Sequence, residues 1–228
     1  MNTTQPDTRN DAIRVLCVDD HAFLIEGLAA RFADEPGFEF CGSINSADDL
    51  VESVERHRPD IALLDIEMPG RDVFDVLEEL ASRSLPTRVV LLSGHVRQTY
   101  LDMAIKAGAW GYLSKRDDPG AIVSAIRQVR AGRFAFSPEV SSKCGLDPVQ
   151  ATTDKRDQVS SRLGRLTNRE LQILRMIGRG MPRNEIASAL HRSPKTVDAH
   201  RSSIMDKLNL HDRVELARFA IREGLVEL

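Results

Sequence analysis

Short apolar runs alternate with segments of helical period through the first part of the chain. Residues 14–18, 38–42, 61–64, 88–92 and 111–113 are strand-like, rich in Val, Ile and Leu and nearly continuous in their apolarity. Residues 22–33, 47–57, 73–82, 98–107 and 119–131 instead place apolar side chains three and four apart, as a one-sided helix does. Ser46 with Asp49, and Asp118 before Pro119, supply helix start signals. Five such strand–helix units predict a doubly wound α/β fold, a five-stranded parallel sheet covered on both faces. In such sheets ligands sit at the carboxyl ends of the strands, where the strand order reverses.

The pattern changes after residue 137. Residues 138–161 turn to Ser, Thr, Asp, Gln and Lys with Gly145 and Pro148, a linker with room for one short helix. From residue 162 onward there is no strand signal and there are four helical stretches, so an all-α domain is expected over 162–228. Thr167 and Glu170 open its first helix as a capping box, with Leu166 and Leu171 at the positions of a hydrophobic staple and Gly180 as the stop. The expected organisation is a disordered N-terminus (1–11), an α/β domain (12–137), the linker and the helical domain.

Composition supports two folded domains: 228 residues, 42% hydrophobic, are too apolar for a disordered chain. No run of 18 apolar residues is present and the first eleven residues are polar, so neither a membrane span nor a secretory leader is expected. Cys17, Cys41 and Cys144 have no metal-binding spacing and read as reduced packing thiols, in keeping with a cytoplasmic location. The net charge of −3 conceals a polarity. Residues 1–142 carry 15 Lys and Arg against 23 Asp and Glu, whereas residues 143–228 carry 16 against 11. An acidic half suits a cation, and a basic half suits a polyanion such as nucleic acid.

Polar residues fall at four of the strand ends. Asp19 and Asp20 follow the first strand, Asp65 the third, Ser93 the fourth and Lys115 the fifth. One Asp after a strand is usually a helix cap, and one of Asp19 and Asp20 could be only that. Five polar residues on one rim suggest more. Three neighbouring carboxylates persist ionised if they share a cation, and oxygen ligands favour a hard ion, Mg²⁺ above all. A carboxylate beside that ion, faced by a hydroxyl and an ammonium, can accept a phosphoryl group as an acyl phosphate.

Asp19-Asp20-His21, Leu63-Leu64-Asp65-Ile66-Glu67-Met68-Pro69-Gly70, Leu92-Ser93-Gly94 and Ala107-Gly108-Ala109-Trp110-Gly111-Tyr112-Leu113-Ser114-Lys115 together resemble the receiver domain of bacterial two-component response regulators, a flavodoxin-like fold. The resemblance implies that Asp65 is the phosphoacceptor and that Asp19, Asp20 and Asp65, with the backbone carbonyl of Glu67, hold Mg²⁺. It further implies that Ser93 and Lys115 contact the phosphoryl oxygens, and that Tyr112 is the aromatic whose orientation follows Ser93. Val73 departs from the pattern, where glycine is frequent.

In the helical domain, a helix from about residue 182 to 190 is followed by a tight turn and then by Ser193 as N-cap with Pro194 at the first helical position. Val197, Ile204 and Leu208 share one face of the next helix, while Lys195, Ala199, Ser202 and Asp206 point away, with Asp198 and Ser203 at the edges. Small residues on that outer face suit a major groove; a plain four-helix interaction module is the alternative. The run Asn184-Glu185-Ile186-Ala187, Lys195-Thr196-Val197-Asp198-Ala199-His200-Arg201 and Lys207-Leu208 resembles the LuxR-type helix-turn-helix. Joined to a receiver, it makes the chain similar to the NarL/FixJ transcription regulators. The resemblance implies DNA-facing Lys195, Thr196, Asp198, Ala199 and Ser202, with Arg201 and Lys207 toward phosphates. Asp198 could accept only from a cytosine amino group or act by repulsion. Pro182 and His191 stand where Ser and Gly are frequent.

The expected protein is a phosphorylation-controlled transcription regulator, not an enzyme beyond the self-phosphorylation and dephosphorylation chemistry at Asp65. Its expected partners are a sensor histidine kinase, promoter DNA, a second copy of itself and RNA polymerase, without a membrane. A Mg²⁺-dependent phosphohydrolase and a DNA binder with a vestigial receiver are the rivals. The six histidines are dispersed without metal-site spacing, and His95, two residues after Ser93, could influence how long an acyl phosphate survives.

Overall fold

The computed structural model describes residues 12–226 apart from 69, 84, 145–161 and 191; the expected disordered N-terminus, most of the expected linker and His191 lie outside the described residues. Strands β1 (Ile13–Val18), β2 (Phe38–Ile44), β3 (Ile61–Asp65), β4 (Arg88–Ser93), β5 (Gly111–Ser114) and β6 (Ala135–Phe136) form one parallel sheet in the order β2-β1-β3-β4-β5-β6. Connecting them are α1 (Ala22–Ala33), α2 (Leu50–His57), α3 (Val73–Ser82), α4 (Gln98–Ala107) and α5 (Pro119–Arg130). The order turns back at β1, so β1 and β3 lie side by side with their carboxyl ends open, the place where such sheets bind ligands.

β1, β3, β4 and β5 are buried almost throughout, as continuous Val, Ile and Leu runs require, whereas the edge strand β2 is only partly buried. On one face Val15, Cys17, Leu63, Val90 and Leu113 meet Leu28 and Phe32 of α1 and Ile122, Ile126 and Val129 of α5. Burial pushes the Cys17 thiol up to about 12, so it stays protonated in the core. The β1–β2 register slips by one residue: Val15 faces Phe40 and Leu16 faces Gly42. The extra residue, Cys41, donates through its thiol to the Val15 carbonyl at 3.2 Å, and Gly42 takes the bulge at φ +142°.

The sixth strand extends the expected five. It pairs with β5 through Gly111 and Tyr112, and a Cβ at Gly111 would stand 2.9 Å from the Ala135 carbonyl oxygen, so this approach needs glycine. A short helix, α6 (Pro138–Lys143), follows on residues read from sequence as the start of the linker. Its flanks hold the end of β5. Ser137 Oγ accepts from Ser114 N–H at 3.1 Å, Glu139 N–H donates to Asp117 at 3.3 Å, and the Ser114 hydroxyl donates to the Glu139 carboxylate.

The described residues divide into two compact units, 12–96 with 108–144 and 97–107 with 162–226. In the second, a 3-10 turn (Arg162–Arg165) leads into α7 (Asn168–Gly178), α8 (Arg183–Ala189), α9 (Pro194–Leu208) and α10 (Arg213–Arg222). α7 and α10 pack so closely that a Cβ at Gly178 would lie 2.7 Å from Ala220 Cβ. The α7 capping box forms as the sequence indicates: Glu170 N–H donates to Thr167 Oγ1 at 3.2 Å, and Thr167 N–H donates to Glu170 Oε2 at 2.7 Å.

Glu170 does more than cap. Its buried carboxylate also accepts from Ser203 Oγ at 2.7 Å and from Lys207 Nζ at 2.6 and 2.8 Å, pinning the start of α7 to the end of α9. Burial alone would raise its pKa, but Lys207, the Thr167 N–H and Ser203 more than reverse that and lower it from 4.5 to about 2. The ionised carboxylate therefore stabilises the unit fully above about pH 4.5, and that contribution disappears as pH falls toward 2. Glu170→Gln is expected to lose about 1–3 kcal/mol at pH 7, by chemical denaturation, and to flatten the acid limb of stability between pH 4.5 and 2. An unchanged acid limb would show that other groups carry it.

Candidate functional site

Asp19, one residue beyond β1, is 2% exposed, and Asp65, the last residue of β3, is fully buried. Two buried carboxylates at neighbouring strand ends would repel, and Lys115, one residue beyond β5, answers both. Its ammonium stands 2.7 Å from Asp19 Oδ2 and 2.9 Å from Asp65 Oδ2. These contacts are ionic rather than well aligned, for neither oxygen has a hydrogen bond of good geometry. Burial would lower the Lys115 pKa, yet the two carboxylates raise it, so the ammonium stays charged. For Asp65 the balance goes the other way: burial raises its pKa and outweighs Lys115 and the Glu67 N–H.

Asp20 is exposed at the rim. His21, the residue before α1, points its Nδ1 between the two acids, 2.9 Å from Asp19 Oδ1 and 2.8 Å from Asp20 Oδ1, and 3.4 Å from Lys115 Nζ. Asp19, Asp20, His21 and Asp65 each offer a ligand atom within 4.8 Å of the others. This arrangement is compatible with a divalent cation: the donors are mostly carboxylate oxygens, and two of those, buried, lack a hydrogen bond. Reading the histidines by helical spacing missed His21, which joins the cluster because it directly follows the two acids on the turn into α1. The available signal was its position in the Asp-Asp-His run.

The other rim residues converge on one carbonyl. Ser93 Oγ, buried at the end of β4, donates to the His95 carbonyl at 2.8 Å and accepts from His95 N–H at 3.1 Å. Tyr112, fully buried in β5, donates its hydroxyl to the same carbonyl at 3.4 Å. Ser93 and Tyr112 thus share one acceptor, the backbone carbonyl of His95. The loop after β3 is fastened on its near side by Glu67 N–H, which donates to Asp65 Oδ1 at 3.2 Å. Across the gap His95 Nδ1 lies 3.7 Å from Glu67 Oε1.

In the helical unit Ser193 caps α9, its Oγ accepting from Thr196 N–H at 3.1 Å, and Pro194 occupies the first helical position. Val197, Ile204 and Leu208 face inward, while Lys195, Ala199 and Ser202 are exposed together. Four of the side chains expected at DNA are already engaged within the protein. Lys207 is bound to Glu170, Arg201 and Asp198 lie 3.4 Å apart, and Thr196 Oγ1 shares a hydrogen bond of 2.9 Å with Ser193. α8 begins at Arg183 without a side-chain cap, since Pro182 occupies that position. In α10, Leu216, Phe219 and Ala220 complete the core and Val214 is exposed.

An acid cluster with a lysine at the switch point of a parallel sheet, followed by a capped helix-turn-helix, defines a receiver joined to a DNA-binding domain. Two family models match accordingly: the response regulator receiver domain over residues 15–127, and bacterial regulatory proteins of the luxR family over residues 164–220. The response regulator UvrY of Escherichia coli K12 is 33% identical over 213 residues, 93% of this chain and 95% of that protein. The response regulator GacA of Pseudomonas aeruginosa is 32% identical over 215 residues, 94% and 98% respectively. The RcsB response regulator of Salmonella typhimurium, 19% identical, shares the fold over 93% of this chain and 98% of its own with a TM-score of 0.69. The chain belongs to the NarL/FixJ family of two-component response regulators, transcription regulators with a receiver and a LuxR-type DNA-binding domain. Among the described residues no helix is long and apolar enough to cross a membrane.

A raised pKa means that the Asp65 carboxylate is less favourable folded than unfolded, a cost present once pH exceeds its folded pKa. At pH 7 in a chelator, Asp65→Asn is therefore expected to raise the melting temperature of the receiver unit. A lower melting temperature would show that the Lys115 contact outweighs burial.

Proposed function

We propose that Asp65 accepts a phosphoryl group from a histidine of a sensor kinase in the cytoplasm, and that this modification controls pairing of the chain and its binding to promoter DNA. The observation that carries this reading is the placement of buried Asp65 beside Asp19 with the Lys115 ammonium 2.9 Å away. An Asp65 oxygen attacks phosphorus as the bond to the histidine nitrogen breaks, leaving an acyl phosphate on Asp65 and the electron pair on the ring. Lys115 supplies positive charge to the incoming oxygens, and Ser93 is the neighbouring hydroxyl donor. The side chains of Asp19, Asp20 and Asp65, with the backbone carbonyl of Glu67, would hold Mg²⁺. When bound, the ion neutralises charge on the phosphoryl oxygens.

The switch follows from the shared carbonyl. If Ser93 turns toward a phosphoryl oxygen it releases the His95 carbonyl, the acceptor it shares with the Tyr112 hydroxyl. That gives phosphorylation a differential contact between two receiver states, the requirement for a population shift. Phe23, 90% exposed on the first turn of α1 and three residues after Asp20 in the chain, offers a protein partner an apolar hold. On the DNA side we assign Lys195, Ala199 and Ser202 to the groove, with contacts to RNA polymerase and to a second copy left to other surfaces. Lys207 then acts through Glu170 and the α7–α9 junction.

The test is intact mass after incubation with a small acyl-phosphate donor and Mg²⁺. One phosphoryl gain per natural chain, absent in Asp65→Asn, is expected, without multiple turnover of phosphoesters. No gain in the natural chain would return weight to a DNA binder with a vestigial receiver.

A further inference from the structure

Asp198 is an odd residue on a helix that meets a polyanion, because its carboxylate repels phosphate. It sits on α9 one position from Ala199, at the edge of the exposed face, and is only partly exposed itself. Both of its oxygens have guanidinium neighbours. Arg183 Nη1, from the first residue of α8, donates to Asp198 Oδ2 at 2.9 Å, and Arg201 Nη2, one turn on along α9, stands 3.4 Å from Oδ1. Oδ1 is buried and has no hydrogen bond, so the Arg201 contact is one of charge. The two arginines keep roughly half and a third of their side-chain surface in solvent, 53% and 38%, so each has donors left over.

We infer that Asp198 is a positioning residue: it clamps Arg183 and Arg201 on the two helices of the helix-turn-helix and withholds their charge from DNA unless the docking geometry is right. The inference rests on the DNA-binding reading of this domain. Its physical basis is a competition. Unclamped, two flexible arginines would neutralise phosphates anywhere along a duplex and so raise non-specific affinity, which is set by the number of phosphates neutralised. Clamped, they carry one shared carboxylate between them, and only a phosphate held in line with the fork of five N–H groups can add to it. Specificity is the difference between the two binding modes, and a penalty on the wrong mode improves it as effectively as a gain in the right one. A carboxylate engaged by Arg183 also has less capacity to accept from a cytosine amino group, which separates this role from direct base reading.

The experiment uses the full natural chain with Asp198→Ala and Asp198→Asn, titrated with a duplex of random sequence at several salt concentrations and selected against a random duplex library. The expected result is tighter binding of the random duplex, about 3- to 10-fold at 0.1 M salt, with a salt slope steeper by about one ion. The library selection should lose discrimination evenly across the preferred site. In an Arg183→Ala, Arg201→Ala background the same Asp198 substitutions should leave the slope unchanged, which plain repulsion of phosphate by the Asp198 carboxylate would not produce. Loss of preference at a single base pair, or a steeper slope that persists without the arginines, would overturn the clamp. Unchanged binding with an unchanged slope would also overturn it, and a natural chain that binds no duplex would remove the DNA-binding reading together with it.

Discussion

The receiver depends on one electrostatic constraint: two carboxylates buried at adjacent strand ends and a single ammonium to balance them. Burial removes the water that would otherwise screen Asp19 from Asp65, so the pair is tolerable because Lys115 reaches both and His21 stands at the outer oxygens. The balance is incomplete, as the raised pKa of Asp65 shows. A site built in this way is poised to take up further positive charge and then a charged group beside it. The sheet topology is what makes the arrangement possible, because the strand order reverses at β1 and leaves the carboxyl ends of β1 and β3 side by side at the switch point.

Much of this was legible in the sequence because the signals are local and physical. Strands buried on both faces read as apolar runs, and β1, β3, β4 and β5 stand where those runs are, within a residue or so at each end. Thr167 with Glu170, Asp118 with Pro119 and Ser193 with Pro194 are caps whose chemistry is spelled out in adjacent positions, and all three form. What could not be read depends on contacts distant in sequence. β6 is two residues long and is a strand only because Gly111 lets the Ala135 carbonyl come close. The engagement of Lys207 by Glu170, 37 residues away, is a tertiary fact, and nothing in Lys207-Leu208 distinguishes a lysine facing phosphate from one facing a buried carboxylate.

Glu170 and Asp198 show how the helical unit uses carboxylates inside a basic domain. One is buried, fully hydrogen-bonded and holds α7 to α9; the other lies at a surface and meets arginines from α8 and α9. Both connect one helix to another. The placement of α9 relative to its neighbours is thus fixed by charge at its two ends and by Val197, Ile204 and Leu208 along its length.

The sixth strand bears on how the receiver behaves as a separate piece. Were the polypeptide cut at the end of α5, β5 would become a bare margin of the sheet, with Gly111 and Tyr112 offering unpaired amide and carbonyl groups to any other extended chain. Such margins recruit strands from neighbouring molecules, and a two-residue β6 with the Ser137 and Glu139 anchors closes this one within its own chain. Retaining the chain through Lys143 keeps that margin sealed.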